Sequence, residues 1–303
     1  MHEELMVEEQ EHEFSWSLSR KALFEFCPRA YFYHYYGATG GFERYSENEM
    51  LYMLKHLQNT HLWINCVVTR TLRELFHDNS GNFNFHSAAK RIFHQGVRSI
   101  TLREWRDDPK LLNLKELYYD QFEINEVIET SAAMLEKSGK SLIESGLVDY
   151  LQRIPFLDRK LIKLPAAANI GKIKFWISPA LFWQENRLLK FLNLNFGKRD
   201  KTHERQLAAM HKLFAFNALR VSPERTVSLN FSLQTGETTF VNDSEINISG
   251  MIAEIKDSSA GMLSPLTDSK IALEGNFAVK TENCAQCRFQ KYCRKRGEKT
   301  FSY

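Results

Sequence analysis

Three cysteines crowd the far end of the chain: Cys284, Cys287 and Cys293 stand as C-x2-C-x5-C in ENCAQCRFQKYCRKRG. Thiolates are soft ligands, and a short loop can present three of them to one metal centre. Closing such a site takes a fourth ligand. Cys27, in FEFCPRAYFYHYYGA, is the natural one, because Cys66 lies within an apolar helical run where a buried, inert thiol is the ordinary outcome. Three cysteines beside Arg and Lys are poor core material. Four thiolates suit tetrahedral zinc and equally an iron–sulfur cluster, and the spacing does not choose between them. A second group is basic: Lys190, Lys198, Arg199, Lys201 and Arg205, with Arg288, Lys291, Arg294, Lys295 and Arg296 around the cysteines. Such residues hold phosphates without reading sequence, though a solvated face has the same composition. Tyr31, Phe32, Tyr33, Tyr35 and Tyr36 could stack bases, but their close spacing suits core packing better. The histidines form no H-x3-H pattern of the metalloprotease kind.

The elements that position these residues change character along the chain. Residues 1–13 read as an acidic, solvated tail, and residues 14–159 as a helical region. Apolar residues recur at helical spacing from Ser17 to Tyr36 and over residues 48–76. Residues 86–153 read as largely helical, with turns at Asp107-Asp108-Pro109 and at Ser138-Gly139. From about Lys160 the texture becomes β-branched and aromatic. KIKFWIS, ALFWQ, LLKFLNLNF, TVSLNFSLQ and ETTFV are short runs bounded by turns. A helix from Glu204 to Asn217 separates them, and another spans Ser244 to Leu263. Residues 160–263 are therefore an α/β core and residues 264–303 a cysteine-bearing tail. The whole is an α/β (α+β) plan with a mixed central sheet flanked by helices.

Composition bounds the rest. The chain has 303 residues, 43% of them hydrophobic and 25% charged, which is enough to bury a core without disulfides. A net charge of +3 argues for no partner by itself. The opening MHEELMVEEQEHEF lacks the apolar core of a signal peptide, and no run approaches the 18 apolar residues of a membrane span. The expectation is a cytoplasmic protein with no membrane association, in which cysteines serve metals or redox chemistry before disulfides.

Cysteine-proline-arginine followed by aromatics, with C-x2-C-x5-C at the other end, resembles the iron–sulfur branch of the PD-(D/E)XK nucleases. That branch includes the RecB-like CRISPR adaptation exonucleases and the nuclease domain of AddB-like helicase–nucleases. SWSLSRKALFEFCPRAYFYHYYGATGGF resembles its opening helix and first cluster ligand, and NFAVKTENCAQCRFQKYC its last three ligands. LYMLKHLQNTHLWINCVV, REWRDDPKLLNLKELYYDQ and ERQLAAMHKLFAF resemble segments between, in the same order. The resemblance implies a restriction-endonuclease-like core and one [4Fe-4S] cluster on Cys27, Cys284, Cys287 and Cys293. It also implies DNA, with single strands included, or a helicase or nuclease subunit as partner.

Active members hold Mg²⁺ with two acidic residues, place a lysine two positions after the second, and often add a histidine on an earlier helix. Hard oxygen ligands are what Mg²⁺ requires, and the ions stabilise the attacking and leaving oxygens of the phosphodiester. Matching LKFLNLNFGKR to the second acidic strand puts Asn193 at the acid and Asn195 at the lysine. Ser178 or Pro179 falls at the first aspartate, Thr69 at the histidine, and Met210 at a tyrosine beside the retained Gln206. The resemblance therefore implies a pseudo-nuclease with weak Mg²⁺ binding, acting by binding DNA or a protein. Two alternatives stand beside it. One is an active metal-dependent deoxyribonuclease with displaced acids such as Asp200 and Glu204, although acids at a helix start also complement its dipole. The other is a purely structural scaffold.

Overall fold

The computed structural model describes residues 14–43, 45–78, 80–159, 163–196, 200–267 and 273–294. Polar N-caps set several helix starts. Ser17 accepts the Arg20 amide and opens α1 (Leu18–Phe26), which Pro28 follows by starting α2 (Pro28–Phe32). A π-helical turn, Tyr33–Gly37, and α3 (Glu49–Lys55) complete the N-terminal segment. Asn59 caps α4 (Thr60–His77) and Asn84 caps α5 (Phe85–Leu102). The short α6 (Lys115–Tyr118), the long α7 (Ile124–Glu144) and α8 (Leu147–Arg153) follow. The turn expected at Asp107-Asp108-Pro109 is present, whereas Ser138-Gly139 lies inside α7. There Ser138 Oγ bonds the Met134 carbonyl, and Gly139 is buried where α7 passes Phe85. Helical packing overrides the local turn preference.

The strands form two mixed sheets instead of one central sheet. β1 (Ser15–Trp16) runs parallel to β3 (Ile173–Ile177), which pairs antiparallel with β2 (Ala166–Ile170). The second sheet has the order β4 (Leu181–Glu185), β5 (Leu188–Asn195), β6 (Thr226–Ser232), β7 (Thr238–Phe240). β4 and β5 form a hairpin whose turn residues, Asn186 and Arg187, both take positive φ. α9 (Lys201–Leu219) then crosses over, so that β6 lies parallel to β5. The chain leaves the first sheet at Ser178-Pro179-Ala180. Arg73 of α4 donates to the Pro179 and Ala180 carbonyls there, and the Ala180 amide joins Leu192 in the second sheet. α10 (Ile248–Leu263), capped by Asn247, packs beside α9.

One apolar core joins α4, α5, α7 and α8 to the face of the second sheet that carries Trp183, Leu192 and Leu194. Another lies under α9 and α10, with Phe175, Phe182, Phe191 and Met210. The seam between α4 and α5 is tight: Trp63 stacks on Phe93 at 4.9 Å, and a Cβ at Gly96 would stand 2.7 Å from the Trp63 indole. Gly96→Ala should therefore lower stability by about 1–3 kcal/mol, read as a lower urea midpoint with unchanged slope. An unchanged midpoint would mean that the seam is looser than described.

Candidate metal centre and groove

Cys27 sits at the corner between α1 and α2, where its extended backbone ends one helix and Pro28 starts the next. Its amide bonds the Leu23 carbonyl at 3.0 Å, and its side chain is buried. The chain's other end is knitted to this corner. The Arg29 amide donates to Ala278 O at 3.1 Å, and Arg29 Nε to Phe277 O at 2.8 Å. Arg29 also pairs with Glu274 at 3.3 Å, whose carboxylate accepts the Tyr33 hydroxyl at 2.6 Å. A 3₁₀ turn, Thr281–Gln286, presents Cys284, and the Cys287 amide closes on its carbonyl at 3.1 Å. One further helical turn brings Cys293 over Phe289, which is fully buried. Lys115 and Tyr119 hold the Gln286 and Arg288 carbonyls, and Arg288 donates to Lys55 O at 3.0 Å.

These contacts bring Cys27, Cys284, Cys287 and Cys293 to the wall of one cavity of about 100 Å³. All four are free thiols. The Cys287 thiol is pushed up to about 11, chiefly by burial and further by its three neighbours, against an opposing N–H···S bond from Phe289 at 3.4 Å. Four crowded, partly desolvated sulfurs repel one another as anions and are matched by a cationic centre, which deprotonates a coordinating thiol outright. The donor set therefore fits a soft metal or cluster. Among the described residues, no three His, Cys, Asp or Glu side chains close on a single-ion site; the thiols ring a cavity. Cys66 stands elsewhere and is exposed, not buried as its apolar run suggested, because its side of α4 faces an open groove. The protein around that groove still pushes its thiol up by desolvation.

That groove, of about 960 Å³, collects most of the positions matched to the nuclease motif. Thr69, Ser178, Asn193 and Met210 all line it, with Arg20, Arg70, Arg73, His203 and His211. No Asp or Glu is among its described lining residues. Arg20 lies 4.1 Å over the Tyr35 ring and donates to Ser15 O, while Thr69 donates to Asn65 Oδ1 at 3.1 Å. Pro179 is not among the lining residues; Arg73 holds its carbonyl. His211 is buried and stacked on Phe191 at 4.5 Å, and desolvation lowers its pKa to about 3, so it is neutral at physiological pH.

Asn193 is fixed from behind. Its Nδ2 donates to Asn230 Oδ1 at 3.0 Å and to the Leu229 carbonyl and Ser228 Oγ, each at 3.3 Å; Ser228 Oγ in turn meets His211 Nδ1 at 2.9 Å. A backbone carbonyl accepts only, so Leu229 sets which end of the Asn193 amide faces it. Asn195 lines a second cavity, of about 320 Å³, with Lys201, Glu204, Arg205 and Asn230.

The basic residues singled out in the sequence do not gather around the groove. Lys190 pairs with Glu185 and the Tyr150 hydroxyl at the hairpin end, and Arg205 pairs with Glu245. Gly197, Lys198, Arg199, Lys295, Arg296 and the acidic tail lie outside the described residues. Asp200 caps α9 by accepting the Thr202 amide, and Glu204 accepts from Thr239 Oγ1 at 3.3 Å. The groove's own cations were missed, although one signal existed. Asn65, Cys66, Thr69, Arg70 and Arg73 recur at helical spacing along α4, a polar stripe opposite its apolar one. No protein-family model matches the chain, and no curated protein matches it.

Proposed function

We propose that this protein is a catalytically silent PD-(D/E)XK nuclease-like fold that carries a [4Fe-4S] cluster on Cys27, Cys284, Cys287 and Cys293 and binds a DNA strand in its groove. What carries the reading is the groove's composition: Thr69, Ser178, Asn193 and Met210, four of the positions matched to the nuclease motif, line it together with three arginines and, among the described residues, no carboxylate. A site without hard anionic oxygens holds Mg²⁺ weakly, while arginines hold phosphates well. The order β4, β5, α9, β6, an antiparallel hairpin followed by a parallel crossover, supports the restriction-endonuclease-like core. Four thiols lining one cavity suit a cluster and a tetrahedral zinc alike, and the choice of cluster follows from the resemblance. When bound, the cluster supplies cationic iron for four thiolates. Cys27 and the C-terminal cysteines would hold it, and Phe289 would share the charge of one sulfur. A cytoplasmic setting and a helicase or nuclease subunit as protein partner are part of the same proposal.

Binding of a labelled single-stranded oligonucleotide tests the groove. Three phosphate contacts on a single strand give a salt slope near −2, so affinity should fall about 20-fold from 50 to 200 mM salt. Arg70→Glu, at an exposed position, should weaken binding further. Salt-independent or absent binding would favour the scaffold reading. Mg²⁺- or Mn²⁺-dependent cleavage abolished by Glu204→Gln would replace silence with a displaced acidic site.

A further inference from the structure

The face of β5 and β6 under α9 changes composition toward its end. Phe191 lies level with Ser228, then Asn193 with Asn230, then Asn195 with Ser232. A covered sheet face is ordinarily apolar, and buried amides are ordinarily paired. Here two polar ends are left over: among the described residues, Asn195 Oδ1 and Asn230 Nδ2 are buried without a hydrogen-bond partner, on residues only 7% and 1% exposed. Both residues line the 320 Å³ cavity. The orientation of Asn230 follows from the chain of bonds behind it. The Leu229 carbonyl takes the Asn193 amide nitrogen, Asn193 takes the Asn230 oxygen, and the Asn230 nitrogen remains for the cavity.

We propose that this cavity is a nucleobase pocket, in which Asn230 donates to a ring nitrogen and Asn195 accepts from the neighbouring exocyclic amino group. Adenine and cytosine carry that acceptor–donor pair on adjacent atoms, the pattern asparagine reads in adenine. Phe240, two-thirds exposed on β7 and lining the same cavity, offers a face for stacking. Among the described lining residues, Lys201 and Arg205 stand against Glu204, Glu237 and Glu245, a rim that is not predominantly cationic. One hydrogen bond, from Asn193 to Asn230, separates this cavity from the arginine-lined groove. In the strand form of the proposal, the phosphates lie in the groove and one base lies against the asparagines. The strand form of this inference rests on the DNA-binding reading above; the pocket itself does not.

The test compares oligo-dA, oligo-dC, oligo-dT and free adenosine on the full chain, with native protein and Asn195→Leu. One bidentate pair gives about a tenfold preference of dA and dC over dT, and Asn195→Leu should abolish it. The substitution removes an unpartnered buried oxygen, so its melting temperature should be no lower than that of the native protein; a lower one would assign Asn195 a structural role and overturn the proposal. Adenosine that binds native protein and not Asn195→Leu would support the pocket even where no strand binds, and would make a free nucleoside its source. Strand binding without base preference, together with no adenosine binding, would overturn the pocket and leave the groove standing.

Discussion

Protein prepared without oxygen should be brown, contain about four irons per chain, and lose both colour and stability when Cys27 becomes alanine. Among the four thiols, Cys27 alone comes from the N-terminal segment; the other three lie within the last turns described. A link between positions so far apart closes a very long loop of the unfolded chain, worth about 4–5 kcal/mol in the chain-entropy account. Metal–thiolate binding adds to that because it exists only in the folded state. The sum rivals the whole stability of an ordinary domain. Cys27→Ala should accordingly be poorly soluble and low in iron, with a melting temperature many degrees lower. Cys66→Ala, on the groove side of α4, should change neither. Iron analysis and thermal melts on both variants decide the matter. Full iron with an unchanged melt in Cys27→Ala would remove that residue from the centre, and one zinc per chain without iron would replace the cluster.

The second large effect concerns the amide at the heart of the groove. Placing an acid there by Asn193→Asp should destabilise the protein by about 2–4 kcal/mol at neutral pH. The carboxylate would face the Leu229 carbonyl and the Asn230 oxygen, both of which now receive a donor. Its folded pKa would rise above the ordinary value near 3.9, and each unit of rise costs about 1.4 kcal/mol once the unfolded state ionises. Below about pH 4 both states are protonated and the variant lies close to the parent. The gap then widens with pH until the raised folded pKa is reached, and stays constant above it. Urea unfolding of both proteins at pH 4 and pH 7.5 measures this. A variant as stable as the parent at both would mean that the polar network tolerates charge. The residues behind Asn193 are thus built around an amide.

The readable parts of this sequence were those with a local signature. The runs read as strands became β3 to β7, and the helix around Gln206 became α9, because turn residues and alternation are local signals. β2 escaped notice because AAANI has weak strand preference; its alanines are small because α9 packs over them, a tertiary requirement. β1 is two residues long and exists only through its pairing with β3. Of the four cysteines that line one cavity, three stood out by their spacing; Cys27 was chosen because Cys66 lies in an apolar run, yet Cys66 is exposed. The arginines of the groove did not, because Arg20 and Arg73 come from distant segments and only folding brings them together. The paired asparagines of β5 and β6 were equally hidden, since their relation is a parallel register across a crossover.

The knitting of the two chain ends also imposes an order of manufacture. Trp16 and Tyr31 are buried near the N-terminus, yet Tyr31 packs on Phe277, and Tyr33 on Phe289 and Tyr292. At about 5–20 residues per second, those partners leave the ribosome about 12–50 s after the aromatics they cover. For that interval the first helices carry an uncovered aromatic face and a lone thiol. A chain that stops short of Phe277 can never cover them. Truncated products should thus be strong chaperone and protease substrates.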